Sequence, residues 1–241
     1  MRRRVMFALL TLLALVAPAT AGDGDALLAA ADTTRAVAAS GLTVNVHVLD
    51  PAEPLDATVR AQGDRLRVDV TAPSARAGEV LLFVDGKAWF WRPGLRRPLA
   101  VSPGQAFGGR ASNADLVLLL AGLSEEYEAT LGGTETLGAE RATVLNLQAS
   151  AASAPWPKLR VWLGGDPARV LQAAVLDGRG EVSRTVQVRW GQTVAWQGGK
   201  LPFPDELVIT ERGSSTTVRY DAPVTGALQA ELFAPERLGS P

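Results

Sequence analysis

Residues 43–48 read TVNVHV, and the reading of this stretch decides the fold: Val44, Val46 and Val48 alternate with Thr43, Asn45 and His47. A period of two is that of a half-buried strand, apolar on one face and wet on the other. The alternation returns at Leu66, Val68 and Val70, interleaved with Arg65, Arg67 and Asp69. It recurs at Leu159, Val161 and Leu163, at Val182, Val186, Val188 and Trp190, and at Thr216, Val218 and Tyr220. Turn residues punctuate these runs at Gly63-Asp64, Asp85-Gly86, Gly132-Gly133, Gly164-Gly165-Asp166, Asp177-Gly178 and Gly198-Gly199. The pattern predicts a mainly β chain, an antiparallel meander of roughly eleven strands.

Two segments break the period. From Asp25 to Ser40, the residues Ala30, Ala31, Thr34, Val37 and Ala38 fall at helical spacing, and Gly41 is placed to end a short amphipathic helix. Further on, Ser112-Asn113-Ala114-Asp115 has the form of a capping box and opens the run Leu116-Val117-Leu118-Leu119-Leu120, with Gly122 set to cap its end. A helix apolar all round has no face for water and must be covered. A sheet of about eleven strands is twice the usual size and curls. Helices this short cover only part of a curled sheet's inner face, so an incompletely filled hydrophobic hollow is expected.

Arg2, Arg3 and Arg4 precede an apolar run from Val5 to Ala17, then Pro18 and Ala19-Thr20-Ala21. Residues 1–21 therefore read as a cleavable secretory signal peptide, with the mature chain starting at Gly22 and residues 22–241 forming one domain. The apolar run is shorter than the roughly 20 residues of a membrane span. A soluble exported protein follows as the expectation. Without the three leader arginines, 21 basic residues face 25 acidic ones, a net charge of −4, which argues against a nucleic-acid partner. The chain has no Cys, so no disulfide supports it.

The residues for common catalysis are scarce. One His and no Cys leave the ordinary ligand sets for zinc, copper or iron incomplete, so neither a metal nor a cofactor is expected. There is no Gly-x-Ser-x-Gly elbow and no Walker loop. His47 lies on the polar phase of its strand, and Glu125, Glu126 and Glu128 read as a solvated edge. The expectation is a protein that is not an enzyme.

Residues 85–99 read DGKAWFWRPGLRRPL, three consecutive rings followed at once by arginines. Trp89 and Trp91 share one strand face and Phe90 takes the other. These rings are either core or the wall of a ligand pocket; where the inner face is hollow, the two are one surface. From Gly86 to Ala114 there is no Asp or Glu, so Arg92, Arg96, Arg97 and Arg110 go unanswered in the sequence. They are either a solvated loop or a contact for an anionic head group or an acidic partner.

The Asp85-Gly86-Lys87 turn before the rings, then Arg92-Pro93-Gly94-Leu95-Arg96-Arg97-Pro98, Ser102-Pro103-Gly104-Gln105 and the Asn-x-Asp-Leu helix start at Asn113, resemble the outer-membrane lipoprotein-sorting proteins of the LolA-like superfamily. The segment Glu126-Tyr127-Glu128-Ala129-Thr130-Leu131 and the ending Leu232-Phe233-Ala234-Pro235-Glu236-Arg237-Leu238 are similar to that family in the same order. The resemblance implies a half-open antiparallel β-barrel of about eleven strands, with short helices as a lid over a hydrophobic concave face. It also implies a periplasmic carrier of acyl chains of lipoproteins or lipids, bound for the outer membrane and working beside a transporter of the resistance-nodulation-division (RND) type or an outer-membrane acceptor. On that reading Trp89, Phe90, Trp91, Leu116, Leu118 and Leu119 form the pocket and its lid, and Arg92, Arg96, Arg97 and Arg110 meet the head group or partner. The alternative is a non-catalytic docking or sensor module with the same fold, its pocket filled by its own side chains.

Overall fold

Every strand foreseen from the period of two is present in the computed structural model, which describes residues 21–101, 106–108, 111–112, 123–151 and 154–238. The chain begins with helices α1 (Ala21–Ala31) and α2 (Thr33–Ala39). A first meander follows: β1 (Leu42–Leu49), β2 (Leu55–Gln62), β3 (Arg65–Ala72), β4 (Val80–Val84), β5 (Lys87–Trp91) and β6 (Leu99–Val101). The short pair β7 (Ala106–Gly108) and β8 (Ala111–Ser112) stands apart from it. The second half comprises β9 (Tyr127–Leu137), β10 (Glu140–Ala149), β11 (Lys158–Gly164), β12 (Arg169–Leu176), β13 (Val182–Arg189), β14 (Gln192–Trp196), β15 (Gly199–Phe203), β16 (Glu206–Glu211) and β17 (Ser214–Thr225). Two 3-10 turns, Ala230–Phe233 and Pro235–Arg237, follow β17.

Thirteen of these strands form one antiparallel sheet in the order β6-β5-β4-β3-β2-β1-β17-β16-β13-β12-β11-β10-β9. The two halves of the chain join at its centre, where β1 pairs with β17. Among the described residues its end strands β6 and β9 do not pair with each other, so the sheet is open. The sheet has more strands than the sequence count of about eleven. The three-residue β6 is too short to show a period, and β14 and β15 leave the sheet as a separate hairpin.

The sheet is curled, and the helices show by how much. Gly24 in α1 lies so close to β9 that a Cβ there would overlap the Ala129 carbonyl, while Gly41 leads directly into β1. Between them the helical chain spans at most about 28 Å. Laid flat, β9 and β1 would be seven strand spacings apart, about 34 Å. The arc exceeds the chord, so the sheet wraps around the helices.

One core fills the inner side. Val44, Val46, Val59, Val68, Val161 and Ile209 are all fully buried there, and Leu28 of α1 and Val37 and Ala38 of α2 join them. Each such aliphatic side chain contributes roughly 1.5–3 kcal/mol. The β14–β15 hairpin adds Val194 and Phe203 to the same cluster and is tied down by Thr225 Oγ1 donating to the Ala195 carbonyl at 2.7 Å.

Two local expectations are corrected. The helix expected over residues 25–40 is broken at Asp32, whose carboxylate accepts the backbone N–H groups of Leu123 at 3.0 Å and Ser124 at 2.8 Å. Gly132-Gly133, expected as a turn, lies inside β9, where the register against β10 shifts between Leu131 and Gly133. That shift is a β-bulge, and its Gly133 has a φ of 100°.

Candidate functional site

The inner face of the sheet opens by degrees along one row of cross-strand neighbours. Val44, Val59, Val68, Leu81, Phe90 and Leu99 pair in that order from β1 to β6, so all six project from the same face. Val44, Val59 and Val68 are fully buried, Leu81 is 7% exposed, Phe90 is half-buried and Leu99 is 46% exposed. The neighbouring row, Leu42, Ala61, Leu66, Phe83, Ala88 and Val101, ends likewise in a half-buried Val101. Helix α2 covers this face at β1 and β2, where it packs, and the hairpin β14–β15 adjoins α2. Toward β5 and β6 the apolar surface emerges into water.

The three rings divide as strand alternation requires, and only one belongs to this inner row. Phe90 packs against the main core. Trp89 and Trp91 lie on the outer face with Val80, Val84 and Leu82, under Leu228, Leu232, Phe233 and Leu238 of the C-terminal segment. Of the rings expected on the pocket wall, Phe90 alone lies on the inner row, while residues 228–238 pack over Trp89 and Trp91 on the outer face. Three polar contacts hold that segment. Gln62 Oε1 accepts the Leu228 N–H at 3.2 Å, Arg67 Nη1 donates to the Leu232 carbonyl at 3.0 Å, and the Arg65 guanidinium sits 5.1 Å from the centre of the Phe233 ring. Asp69 orients this outer face by pairing with both Arg67 and Arg60.

The arginines lie where the inner row opens. Arg92, Arg96 and Arg97 are exposed in the loop that joins Phe90 on β5 to Leu99 on β6. The loop is held by a turn, Leu95 N–H to Arg92 carbonyl at 3.0 Å, and by Trp91 Nε1 donating to the Leu95 carbonyl at 3.1 Å. Among the described residues no carboxylate pairs with these three. Arg110 lies outside the described residues, and so do Leu116, Leu118 and Leu119 with the expected helix they belong to; Ser112, read as its cap, is the last residue of β8.

Polar side chains elsewhere tie the helices and strands together. Asp25 Oδ1 accepts the Ala129 N–H at 2.7 Å and ties α1 to the edge strand β9. Such cover blunts an exposed sheet edge. Tyr127 donates its hydroxyl to the Trp156 carbonyl at 3.0 Å, and burial pushes that hydroxyl's pKa up to about 12. Asp50 and Thr216 are buried together, with Thr216 Oγ1 donating to Asp50 Oδ2 at 2.6 Å. On the outer face His47 Nδ1 lies 2.8 Å from Asp56 Oδ1 and its Nε2 lies 3.3 Å from Asp221 Oδ2, so two carboxylates orient the ring.

The geometry has relatives. A LolA superfamily protein from Nitrosomonas europaea superposes with a TM-score of 0.72 at 20% identity, covering 88% of this chain and 97% of that one. A domain described as an outer membrane lipoprotein-sorting protein from Vibrio parahaemolyticus gives a TM-score of 0.73 at 16% identity, over 91% and 99% of the two chains. A DUF1329 family protein from Desulfovibrio piger gives 0.71 at 14%, over 90% and 98%. No curated protein matches the sequence. A family model described as "Uncharacterized protein" matches residues 63–240. The chain belongs to that family, and its fold is the open, curled antiparallel sheet of the LolA superfamily.

Proposed function

We propose that residues 22–241 form a single exported carrier domain that takes acyl chains of lipids or lipoproteins against the inner face of its sheet. It works in the periplasm, moves them toward the outer membrane beside an RND-type transporter or outer-membrane acceptor, and makes and breaks no bond. The observation that carries this reading is the graded row from Val44 to Leu99, an apolar floor continuous with the core that surfaces at Phe90 and Leu99. An acyl chain laid along it gains about 0.8 kcal/mol per buried CH₂, so a few methylenes give useful affinity. The fold shared with a lipoprotein-sorting domain supports the same reading.

The row sets a face-specific test. Phe90→Asp places a charge in the path of the acyl chain, and binding of a fluorescent fatty-acid probe should weaken at least about tenfold. Trp89→Phe, one residue away on the outer face, should leave probe affinity within about twofold. Equal effects of the two substitutions would contradict an inner-face site.

A further inference from the structure

We propose that the loop of residues 92–98 binds the phosphate of an anionic glycerolipid head group, so that the acyl carrier selects lipids by charge. This rests on the carrier reading and adds a substrate class to it. Elsewhere in the chain Arg60, Arg67, Arg76, Arg184, Arg189 and Arg219 each hold a carboxylate. Arg92, Arg96 and Arg97 are exposed, and the sequence offers no acid from Gly86 to Ala114. In a mature chain expected to be net negative, three uncompensated guanidinium groups within six residues form a local field of the opposite sign.

Placement turns that field into selectivity. Arg92 follows Phe90 by two residues and Arg97 precedes Leu99 by two, and these flanks are the surfacing end of the inner row. Two strand residues span about 7 Å, so a phosphate at the arginines leaves its acyl chains starting at Phe90 and Leu99. Guanidinium forks match phosphate oxygens with paired N–H donors. The loop is also ordered in advance: its backbone turn, the Trp91 Nε1 bond to Leu95 and the two prolines Pro93 and Pro98 fix its shape, which lowers the entropy lost on binding.

The test compares phosphatidylglycerol with diacylglycerol of the same acyl chains on the full mature protein. Phosphatidylglycerol should bind about tenfold more tightly at roughly 0.05 M salt, and the preference should shrink toward unity at roughly 0.5 M as the field is screened. Arg96→Glu with Arg97→Glu should abolish the preference and leave diacylglycerol binding unchanged; the exposed positions spare the fold, which circular dichroism checks. Arg96→Lys with Arg97→Lys should keep most of the preference. Equal binding of both lipids by the unaltered protein, or a preference that survives charge reversal, would overturn the proposal while leaving the carrier reading in place. Inorganic phosphate raising the melting temperature as much as the lipid would mean a site for free phosphate, and also overturns it. Binding of neither lipid would remove the carrier reading and this proposal together.

Discussion

Gly41→Val should destabilise the protein by about 3 kcal/mol or more, a large part of the 5–15 kcal/mol that holds a typical domain together. Gly41 ends α2 with a φ of 93°, a backbone conformation from which a β-branched residue is excluded by its own side chain. There is no room either: a Cβ at this position would overlap the carbonyl oxygen of Gly226. The two backbones approach because the Gly226 N–H donates to the Gly41 carbonyl at 2.9 Å, closing the central β1–β17 seam at its end. Relief requires either opening that seam or moving α2 off the sheet, and α2 carries the fully buried Val37 and Ala38. Urea unfolding monitored by circular dichroism would read the loss as a lower midpoint. An unfolding free energy within about 0.5 kcal/mol of the unaltered protein's would contradict the tight seam.

Phe233→Ala should cost about 3–5 kcal/mol and should act on the outer face alone. The ring is 2% exposed, packs with Val80, Leu82 and Leu238, and lies beneath the Arg65 guanidinium. Its removal frees the C-terminal segment from β3 and β4 and uncovers Trp89 and Trp91, whose indoles then meet water. The expected result is a lower unfolding midpoint together with a red-shifted tryptophan emission in the still-folded protein. Binding of an acyl probe should persist, because Phe90 and Leu99 face the other way. Loss of probe binding with unchanged emission would show that the C-terminal segment serves the inner face instead.

These outcomes also mark what the sequence reveals. Alternation is a local property, so it separates Trp89 and Trp91 from Phe90 without ambiguity, and the structure keeps that division. Which face is the inner one is a global property. It depends on the ending Leu228 to Leu238, whose apolar residues lie in irregular chain and 3-10 turns and so show no period. The hairpin of β14 and β15 has the strand signature of its neighbours, and nothing local tells that it leaves the sheet to pack on α2, where Trp196 Nε1 donates to Ser40 Oγ at 3.3 Å. Gly41 was legible as a helix stop because its role is local. Asp32 was not legible as a break, since its partners Leu123 and Ser124 come some 90 residues later. Of the candidate site, the acid-free run around the arginines and the face of Phe90 are visible in composition and spacing; the graded row is not, because it is assembled from six strands.

The most direct test of the central claim is what the purified protein carries. Native mass spectrometry of the mature chain, purified without detergent, should show a population heavier than the protein alone by the mass of a diacyl lipid or an acylated peptide, and solvent extraction should release that species. The apolar inner row occupied by acyl chains predicts this bound mass. A single species at the mass of the bare chain, with nothing in the extract and no uptake of added lipid, would contradict the carrier and leave a domain whose inner face is filled by its own side chains.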